Sequence, residues 1–237
     1  MSLLINTKYR TEKTEIMDDF SINGDLLRDT LDKLATINKW LGGNKVTIDG
    51  LKKLIKDHPK SQQLTIIDLG CGGGDILRDV AKLGNKEGYK FNLIGIDANH
   101  DAMAYAKELS KDYDNISFFN CDVFSEEFNT LKYDVVLATL FLHHFKEEEL
   151  INFLSAVLKK TSLGIVVNDL HRHKLAYYLF KLLCVTIKNR MVIEDGLTSV
   201  LRGFKRAELK HISKQLQVHY IIKWKWAFRY QWIIRKK

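Results

Sequence analysis

The stretch Ile66-Ile67-Asp68-Leu69-Gly70-Cys71-Gly72-Gly73-Gly74-Asp75-Ile76 decides the fold of this chain. The apolar run from Leu64 to Leu69 predicts a buried strand, and the apolar positions from Ile76 onward recur at helical spacing. A strand, a glycine-rich turn and a helix together form the layout of a nucleotide-binding loop. Glycine lets the backbone turn tightly and approach a ligand, and the free N–H groups at the helix start can hold a polar group of that ligand.

The spacing in this loop indicates what kind of ligand it would take. The loop reads D-x-G-x-G-x-G, and no Lys-Ser or Lys-Thr follows its glycines, so it is not a phosphate loop. A dinucleotide loop disfavours a carboxylate beside its glycines, because pyrophosphate is itself anionic. Asp68 therefore fits better with a cationic ligand, or with one that carries an ammonium group.

Two further predicted strands end in carboxylates. The strand 91–97 ends at Asp97, which could accept hydrogen bonds from both hydroxyls of a ribose. The strand 116–120 runs into Asp122, which could meet an adenine amino group. Taken singly, Asp68 could be a strand-end cap, Asp97 a helix N-cap and Asp122 a turn former. All three at consecutive strand ends beside a glycine loop would be a rare coincidence.

Over roughly residues 60 to 170, the sequence resembles the class I S-adenosylmethionine-dependent methyltransferases motif by motif. The resemblance implies an enzyme with S-adenosylmethionine as cofactor and S-adenosylhomocysteine as its product. The cofactor-binding residues that we assign on this basis are Asp68, Gly70, Cys71, Gly72, Gly74, Asp97, Ala98, Asp122, Val123, Ala138 and Thr139.

Two segments resemble subgroups of this superfamily that methylate particular classes of acceptor. Phe141-Leu142-His143-His144-Phe145 looks like the segment of ubiquinone/menaquinone-type C-methyltransferases and related O-methyltransferases. Asn168-Asp169-Leu170-His171-Arg172 resembles a bacterial subgroup of aromatic polyketide or phenolic-lipid pathways. The resemblance therefore implies a small, lipophilic or aromatic acceptor such as a phenol, a quinone or a polyketide. Whether oxygen, carbon or nitrogen is methylated stays open.

Three histidines are candidate catalytic residues. A sulfonium methyl is already electrophilic, so positioning can supply much of the rate, but a phenol would benefit from a general base. As the general base we rank His171 first, then His144 and then His143. For each of them, a purely structural hydrogen-bonding role fits the sequence at least as well as catalysis. The cysteines are too widely spaced for a zinc site, and no metal site is evident.

The alternation of strands and helices from 64 to 169 predicts an α/β protein with a doubly wound, mostly parallel sheet that binds ligands at the carboxyl ends of its strands. The resemblance implies the seven-stranded, Rossmann-like methyltransferase fold. We expect an N-terminal helical cap (1–58), with helices over 24–41 and 48–56, ahead of a methyltransferase domain (59–237). Met17 and Trp40 are pocket candidates, although a core position is the preferred interpretation of Trp40.

Residues 171–204 look like an insertion, and insertions at this place often form the substrate lid in the superfamily. The apolar stretch 174–189 favours a lipophilic substrate or docking on a membrane surface, whereas a simply buried helix explains it equally well. After an expected helix over 205–216, aromatic residues at period-two spacing predict two antiparallel strands over 218–226 and 227–234. These aromatic residues are Trp224, Trp226, Phe228, Tyr230 and Trp232.

The composition limits the remaining alternatives. The net charge is +8, and after Gly196 the only acidic residue is Glu208, so a basic C-terminal third could meet RNA, anionic lipid or an acidic partner, or could simply be a solvated face. An RNA methyltransferase ranks second, because the only proline, Pro59, rules out the Asn/Asp-Pro-Pro-Tyr and Pro-Cys motifs. A non-catalytic cofactor-binding protein ranks third. A dehydrogenase that uses Tyr177 and Lys181 ranks lowest, because the glycine loop lies too far from the chain start.

The chain shows no sign of secretion or membrane insertion. Residues 1–5 are too short for a signal sequence, and no apolar run approaches the ~20 residues that span a bilayer. The three cysteines are expected to be reduced. We expect a cytoplasmic protein, with contact at a membrane surface as an alternative, and the sequence leaves the oligomeric state open.

Overall fold

A seven-stranded sheet carries the fold. The computed structural model describes residues 5–236, and its strand order is β3-β2-β1-β4-β5-β7-β6. Strands β1 to β5 pair in parallel, and β7 runs antiparallel between β5 and β6. The strands are β1 (Gln63–Leu69), β2 (Lys90–Asp97), β3 (Ile116–Asn120), β4 (Val135–Thr139), β5 (Gly164–Leu170), β6 (His219–Lys225) and β7 (Arg229–Arg235). The predicted fold class is confirmed.

Helices cover both faces of the sheet, as a parallel sheet with two apolar faces requires. One hydrophobic cluster packs the sheet against the first four helices, and a second cluster packs it against the fifth, sixth and ninth. The helices are α1 (Gly24–Trp40), α2 (Gly43–Ile55), α3 (Asp75–Glu87), α4 (His100–Leu109), α5 (Glu126–Thr130), α6 (Glu147–Lys160), α7 (Lys174–Leu183), α8 (Arg190–Arg202) and α9 (Arg206–Gln215). The carboxyl ends of the parallel strands are left for loops and ligands.

Three local expectations are wrong. Helix α2 begins at Gly43, earlier than the expected residue 48. Trp226 and Phe228 lie in the connection between β6 and β7 rather than in strands. Trp40 is not in the core, because its side chain is 83% exposed. The buried face of α1 includes Leu31 and Asn38. Trp40 is two positions beyond Asn38, which is a rotation of about 200° around the helix axis, so its side chain lies on the opposite, exposed face.

The insertion 171–204 forms two helices, α7 and α8, joined by a short 3₁₀ turn at Cys184–Thr186. The only buried residue of α7 is Ala176, while Leu175 and Leu182 are exposed, so the buried-helix alternative is wrong for this segment. Docking on a membrane surface stays a prediction. Within residues 5–236, no helix combines the length and the apolar character needed to cross a membrane.

Residues 5–23, here called the N-terminal strap, lie across the carboxyl-terminal edge of the sheet. The strap contains one 3₁₀ turn, Ile16–Asp18, and is held by hydrogen bonds from distant parts of the chain. The fully buried Arg172 donates from its guanidinium to the carbonyls of Thr7 (3.2 Å) and Lys8 (3.3 Å). The N–H of Thr11 donates to the carbonyl of Leu201, at 3.2 Å. The strap is therefore fixed to both ends of the insertion 171–204.

Candidate active site

A cavity of about 670 Å³ lies at the carboxyl ends of the parallel strands. The loops after β1, β2, β3 and β4 form its floor, while the strap, α1 and the insertion form its walls. Met17 lines this cavity, and Trp40 does not. From α7, the side chains of Leu179, Phe180 and Leu183 line it, so one face of that helix is turned toward the cavity.

The glycine loop approaches its surroundings too closely for any other residue type. Gly70 has a positive φ of 63°, and a Cβ atom built on it would lie 2.4 Å from the ring of Phe141. The predicted cofactor residues that line the cavity are Asp68, Gly70, Cys71, Gly72, Asp97, Ala98, Asp122, Val123 and Thr139. Gly74 lies behind the loop as the N-cap of α3, and Ala138 is fully buried inside β4.

Asp68 is buried and incompletely paired. Its side chain is 2% exposed, and its Oδ1 accepts no hydrogen bond from the protein. Burial, together with the charges of Asp75 and Asp97, raises the pKa of Asp68 well above its usual value. A positively charged ligand group at this position would favour the ionised carboxylate, which agrees with the ammonium group that the sequence predicts.

Asp97 joins the first two loops of the site. Its Oδ2 accepts a hydrogen bond from the N–H of Gly72 and its Oδ1 accepts one from the N–H of Asn99, each at 3.0 Å. Each carboxylate oxygen retains capacity for another donor. The N-cap of α4 is Asn99, whose side chain accepts from the N–H of Ala102, so Asp97 is not the cap. Asp122 is exposed and accepts from the N–H of Phe124, as a turn former does.

His143, which also lines the cavity, is the centre of a buried ionic network. Its Nδ1 lies 2.7 Å from Oδ1 of Asp169, and because a carboxylate can only accept, this nitrogen carries the proton. The backbone N–H of His143 donates to the other oxygen of Asp169, at 3.1 Å. Its Nε2 faces Oε1 of Glu15, at 3.4 Å. All three side chains are buried.

The network shifts the pKa values of its members in opposite directions. Burial alone would lower the pKa of His143, but the charge and hydrogen bond of Asp169, with the contribution of Glu15, raise it to about 9. Burial alone would raise the pKa values of Glu15 and Asp169, and contact with His143 lowers both overall. At neutral pH this is therefore an imidazolium between two carboxylates.

Helix α8 holds the strap over this network. Asp195 accepts hydrogen bonds from the N–H groups of Ile16 (2.6 Å) and Met17 (3.0 Å). One turn later the hydroxyl of Ser199 donates to Oε2 of Glu15, at 2.8 Å, and Arg202 donates to Asp18, at 2.7 Å. The i, i+4, i+7 spacing puts these three residues on one face of α8. The helix thereby fixes the position of the Glu15 carboxylate.

The other two candidate histidines have different surroundings. Nδ1 of His144 lies 2.7 Å from Oδ1 of Asp18, and the His144 ring packs against that of His143 with centroids 4.4 Å apart. Nδ1 of His171 accepts from the indole N–H of Trp224, at 3.3 Å. Burial, followed by the charge of His173, lowers the pKa of His171 to about 4, so this ring is neutral at neutral pH. Both histidines line the cavity, whereas Tyr177 and Lys181 do not.

Glu15, His143 and His144 also bring three ligand-type atoms within 4.8 Å of one another, a group that could hold a metal ion. In this structure each of them already pairs with a charged or hydroxyl-bearing side chain of the protein. The expected absence of a metal site stays a prediction.

Sequence reasoning missed several residues of the site, namely Arg10, Glu15, Asp18, Asn38, Asp169 as a partner of histidine, Asp195, Ser199, Arg202 and Arg229. The strap has no periodicity that would mark its acidic residues. The spacing of Asp195, Ser199 and Arg202 could have been recognised in the sequence. It places three polar residues on one face of a helix within an apolar insertion, which indicates that this face contacts a polar partner.

Comparison with known proteins identifies the family. The model of a family described as a methyltransferase domain matches residues 60–223. The plantazolicin methyltransferase BpumL, solved in complex with SAH, superposes with a TM-score of 0.67 at 17% identity, covering 90% of this chain and 92% of that one.

Two curated proteins show higher identity over shorter stretches. The ubiquinone biosynthesis O-methyltransferase of Rickettsia bellii (strain OSU 85-389) is 32% identical over 145 residues, which is 57% of this chain and 55% of that protein. The ribosomal RNA small subunit methyltransferase H of Clostridium botulinum (strain Okra / Type B1) is 34% identical over 88 residues, 35% of this chain and 28% of that protein. The alignments therefore span about a quarter to a half of these relatives.

The network predicts a measurable titration of His143. Asp169→Asn keeps a hydrogen-bond acceptor but removes the charge, so the pKa of His143 should fall well below 9, because burial then acts with less opposition. Nitrogen-detected NMR of the histidine rings measures it, with the exposed Asp112→Asn as the control. An unchanged pKa in Asp169→Asn would contradict the assignment.

The raised pKa of His143 also predicts how the free energy of unfolding changes with pH. Because the folded pKa of His143 is raised, its contribution to the free energy of unfolding is fully present below about pH 6.5, the unfolded value. That contribution is lost as the pH rises through about 9. Asp169→Asn should flatten this part of the pH–stability curve.

Proposed function

The chain belongs to the methyltransferase-domain family, and we propose that it transfers the methyl group of S-adenosylmethionine to a small, lipophilic or aromatic acceptor. One observation carries the proposal. A single cavity connects the glycine loop and Asp97 with the buried His143 network and the apolar side of α7. The proposed cofactor-binding and acceptor-binding residues thus line one cavity.

The residues at the cofactor end fit S-adenosylmethionine. The unpaired Oδ1 of Asp68 suits the ammonium group of its methionine part, and the remaining acceptor capacity of Asp97 suits the ribose hydroxyls. Gly70, with its positive φ, lets the backbone turn tightly beneath the ring of Phe141, and both residues line the cavity. When bound, this cofactor supplies a methyl group on a positively charged sulfur that already makes it electrophilic.

At the acceptor end, we propose that His143 takes the proton of a hydroxyl acceptor. Asp169 holds the proton of the neutral ring on Nδ1, so the basic nitrogen is Nε2, which faces Glu15, and both His143 and Glu15 line the cavity. Only the deprotonated ring can accept a proton, and its pKa of about 9 lies close to the pKa of about 10 of a phenol, so the transfer costs little free energy. His171, the first choice from the sequence, is held neutral with a pKa of about 4 and is a much weaker base.

The walls of the cavity support an apolar acceptor. Leu179, Phe180 and Leu183 from α7 face it, and aromatic rings of Phe141 and Phe124 lie on its floor. We propose that residues 171–204 act as a lid and residues 1–58 as a cap on a cytoplasmic methyltransferase domain. The Rickettsia relative, named for ubiquinone biosynthesis, and the plantazolicin enzyme are in line with a small acceptor.

The proposal is tested with S-adenosylmethionine that carries a labelled methyl group. The protein and an extract of its own source cells are incubated with it, and the organic-soluble, RNA and protein fractions are then counted. Label in the organic fraction is expected, and it disappears in a reaction without the protein. Label in RNA would contradict the proposal and favour an RNA methyltransferase. The ribosomal RNA methyltransferase that is similar over 88 residues is in line with that alternative.

Asp97→Ala tests the cofactor end separately. Loss of the hydrogen bonds to the ribose hydroxyls should weaken S-adenosylhomocysteine binding by about 1–3 kcal/mol, measured by calorimetry. Asp101→Ala, in the first turn of the neighbouring helix α4, removes a carboxylate that does not line the cavity and should leave the affinity as it is. Equal affinities of the two variants would rule out the role given to Asp97.

A further inference from the structure

Arg229 is a buried cation that forms no salt bridge among residues 5–236. It is the first residue of β7, its side chain is 3% exposed, and it lines the cavity. Its Nε and Nη1 donate to no acceptor among residues 5–236. Burial lowers the pKa of Arg229 only to about 10, so the guanidinium is charged at neutral pH. An unpaired buried cation is costly to a folded protein, and such a group needs an explanation.

Residues 5–236 supply room for the guanidinium but no anion that binds it directly. A Cβ on Gly43 would lie 2.9 Å from Cζ of Arg229 and 1.9 Å from Oδ1 of Asn38, so the glycine makes space for both side chains. The side-chain oxygens of Asn38 and Asn168 are themselves unpaired, yet they are neutral. The acid that acts on Arg229 electrostatically, Asp169, is already bound to His143.

The position of Arg229 in the sheet puts it on the acceptor side of the cavity. Its strand lies beyond β4 and β5, on the side opposite β2 and β3, which carry Asp97 and precede Asp122. Three strand spacings of about 4.8 Å separate the backbone of β7 from that of β1 by about 14 Å.

A chain of hydrogen bonds nevertheless connects Asn38, which lies near Arg229, with the residue that follows the glycine loop. The amide N–H of Asn38 donates to Asn44, at 2.6 Å, and the amide of Asn44 donates to Asp75, at 3.0 Å. Asp75 is the first residue of α3, directly after the glycine loop.

We propose that Arg229 is the binding subsite for a carboxylate that enters the cavity. This rests on the proposed function, in which two molecules could bring that group: the acceptor, which the strand order favours, or the methionine part of the cofactor. A guanidinium presents two parallel N–H donors that match the two oxygens of a carboxylate. The ligand would neutralise the buried charge, so the protein would be stabilised by occupation of the subsite.

Acetate, the simplest carboxylate probe, tests the subsite in the full-length chain. The melting temperature is measured in sodium acetate against sodium chloride of equal ionic strength, for the wild type, Arg229→Met and Arg190→Met. Arg190 is a control because its side chain is 86% exposed. The wild type and Arg190→Met should gain stability in acetate relative to chloride, and Arg229→Met should not. An equal gain in Arg229→Met, or no gain in the wild type, would overturn the proposal.

A second variant covers the case in which Arg229→Met does not fold. Arg229→Lys keeps the charge but loses the paired donors, and its stabilisation by acetate should be clearly smaller than that of the wild type. A gain as large as that of the wild type would overturn the subsite.

The source of the carboxylate is distinguished by repeating the measurement with saturating S-adenosylhomocysteine. If the cofactor fills the subsite, the acetate effect disappears in the loaded wild type. If the acceptor fills it, the acetate effect remains. Either outcome supports the subsite. Failure of the wild type to bind S-adenosylhomocysteine in calorimetry would contradict the proposed function, while the acetate comparison in the free protein would still decide the subsite.

Discussion

The buried contact of His143 with Asp169 and Glu15 is the interaction on which the rest of the site depends. It joins the end of β5, the short 3₁₀ turn after β4 and the strap, which are far apart in the sequence. Buried charges are tolerated only when they are paired, and removal of one partner leaves the others uncompensated. The network therefore fixes where the strap must lie, and with it the wall of the cavity.

The surrounding arginines and α8 make that arrangement rigid. Arg10 donates to the carbonyls of His143 and Arg202, and Arg172 holds the beginning of the strap. Ser199 and Arg202 bind the acidic groups of the strap from the other side. Positioned groups of this kind need little rearrangement during a reaction, which is how a protein lowers the barrier to a proton transfer.

The sequence predicted those parts of the site that follow from local pattern. The glycine loop and the acids at the ends of β1 and β2 are carried by strand periodicity and by the residue types that a turn requires, and the structure places Asp68, Gly70 and Asp97 around one cavity. Glu15 and Asp18 could not be found in this way, since their segment has no periodic pattern and is held only by distant residues. Arg229 belongs to the basic C-terminal third, for which the sequence left both a binding surface and a solvated face open, but its side chain is buried. Trp226 and Phe228 fit the period-two pattern and still fall in the turn, because periodicity does not locate the end of a strand.

If the His143 network receives the proton of the acceptor, the rate of methyl transfer must depend on pH through the pKa of His143. With the acceptor identified from the labelled extract, kcat/KM is measured from pH 6 to 10 for the wild type and for Asp169→Asn. A base works in its deprotonated form, so the wild-type rate should rise with pH and level off above about 9. In Asp169→Asn the rise should move to lower pH and end at a lower plateau, since the base is weaker. A wild-type profile that is flat between pH 6 and 9, or one that Asp169→Asn leaves in place, would contradict the account.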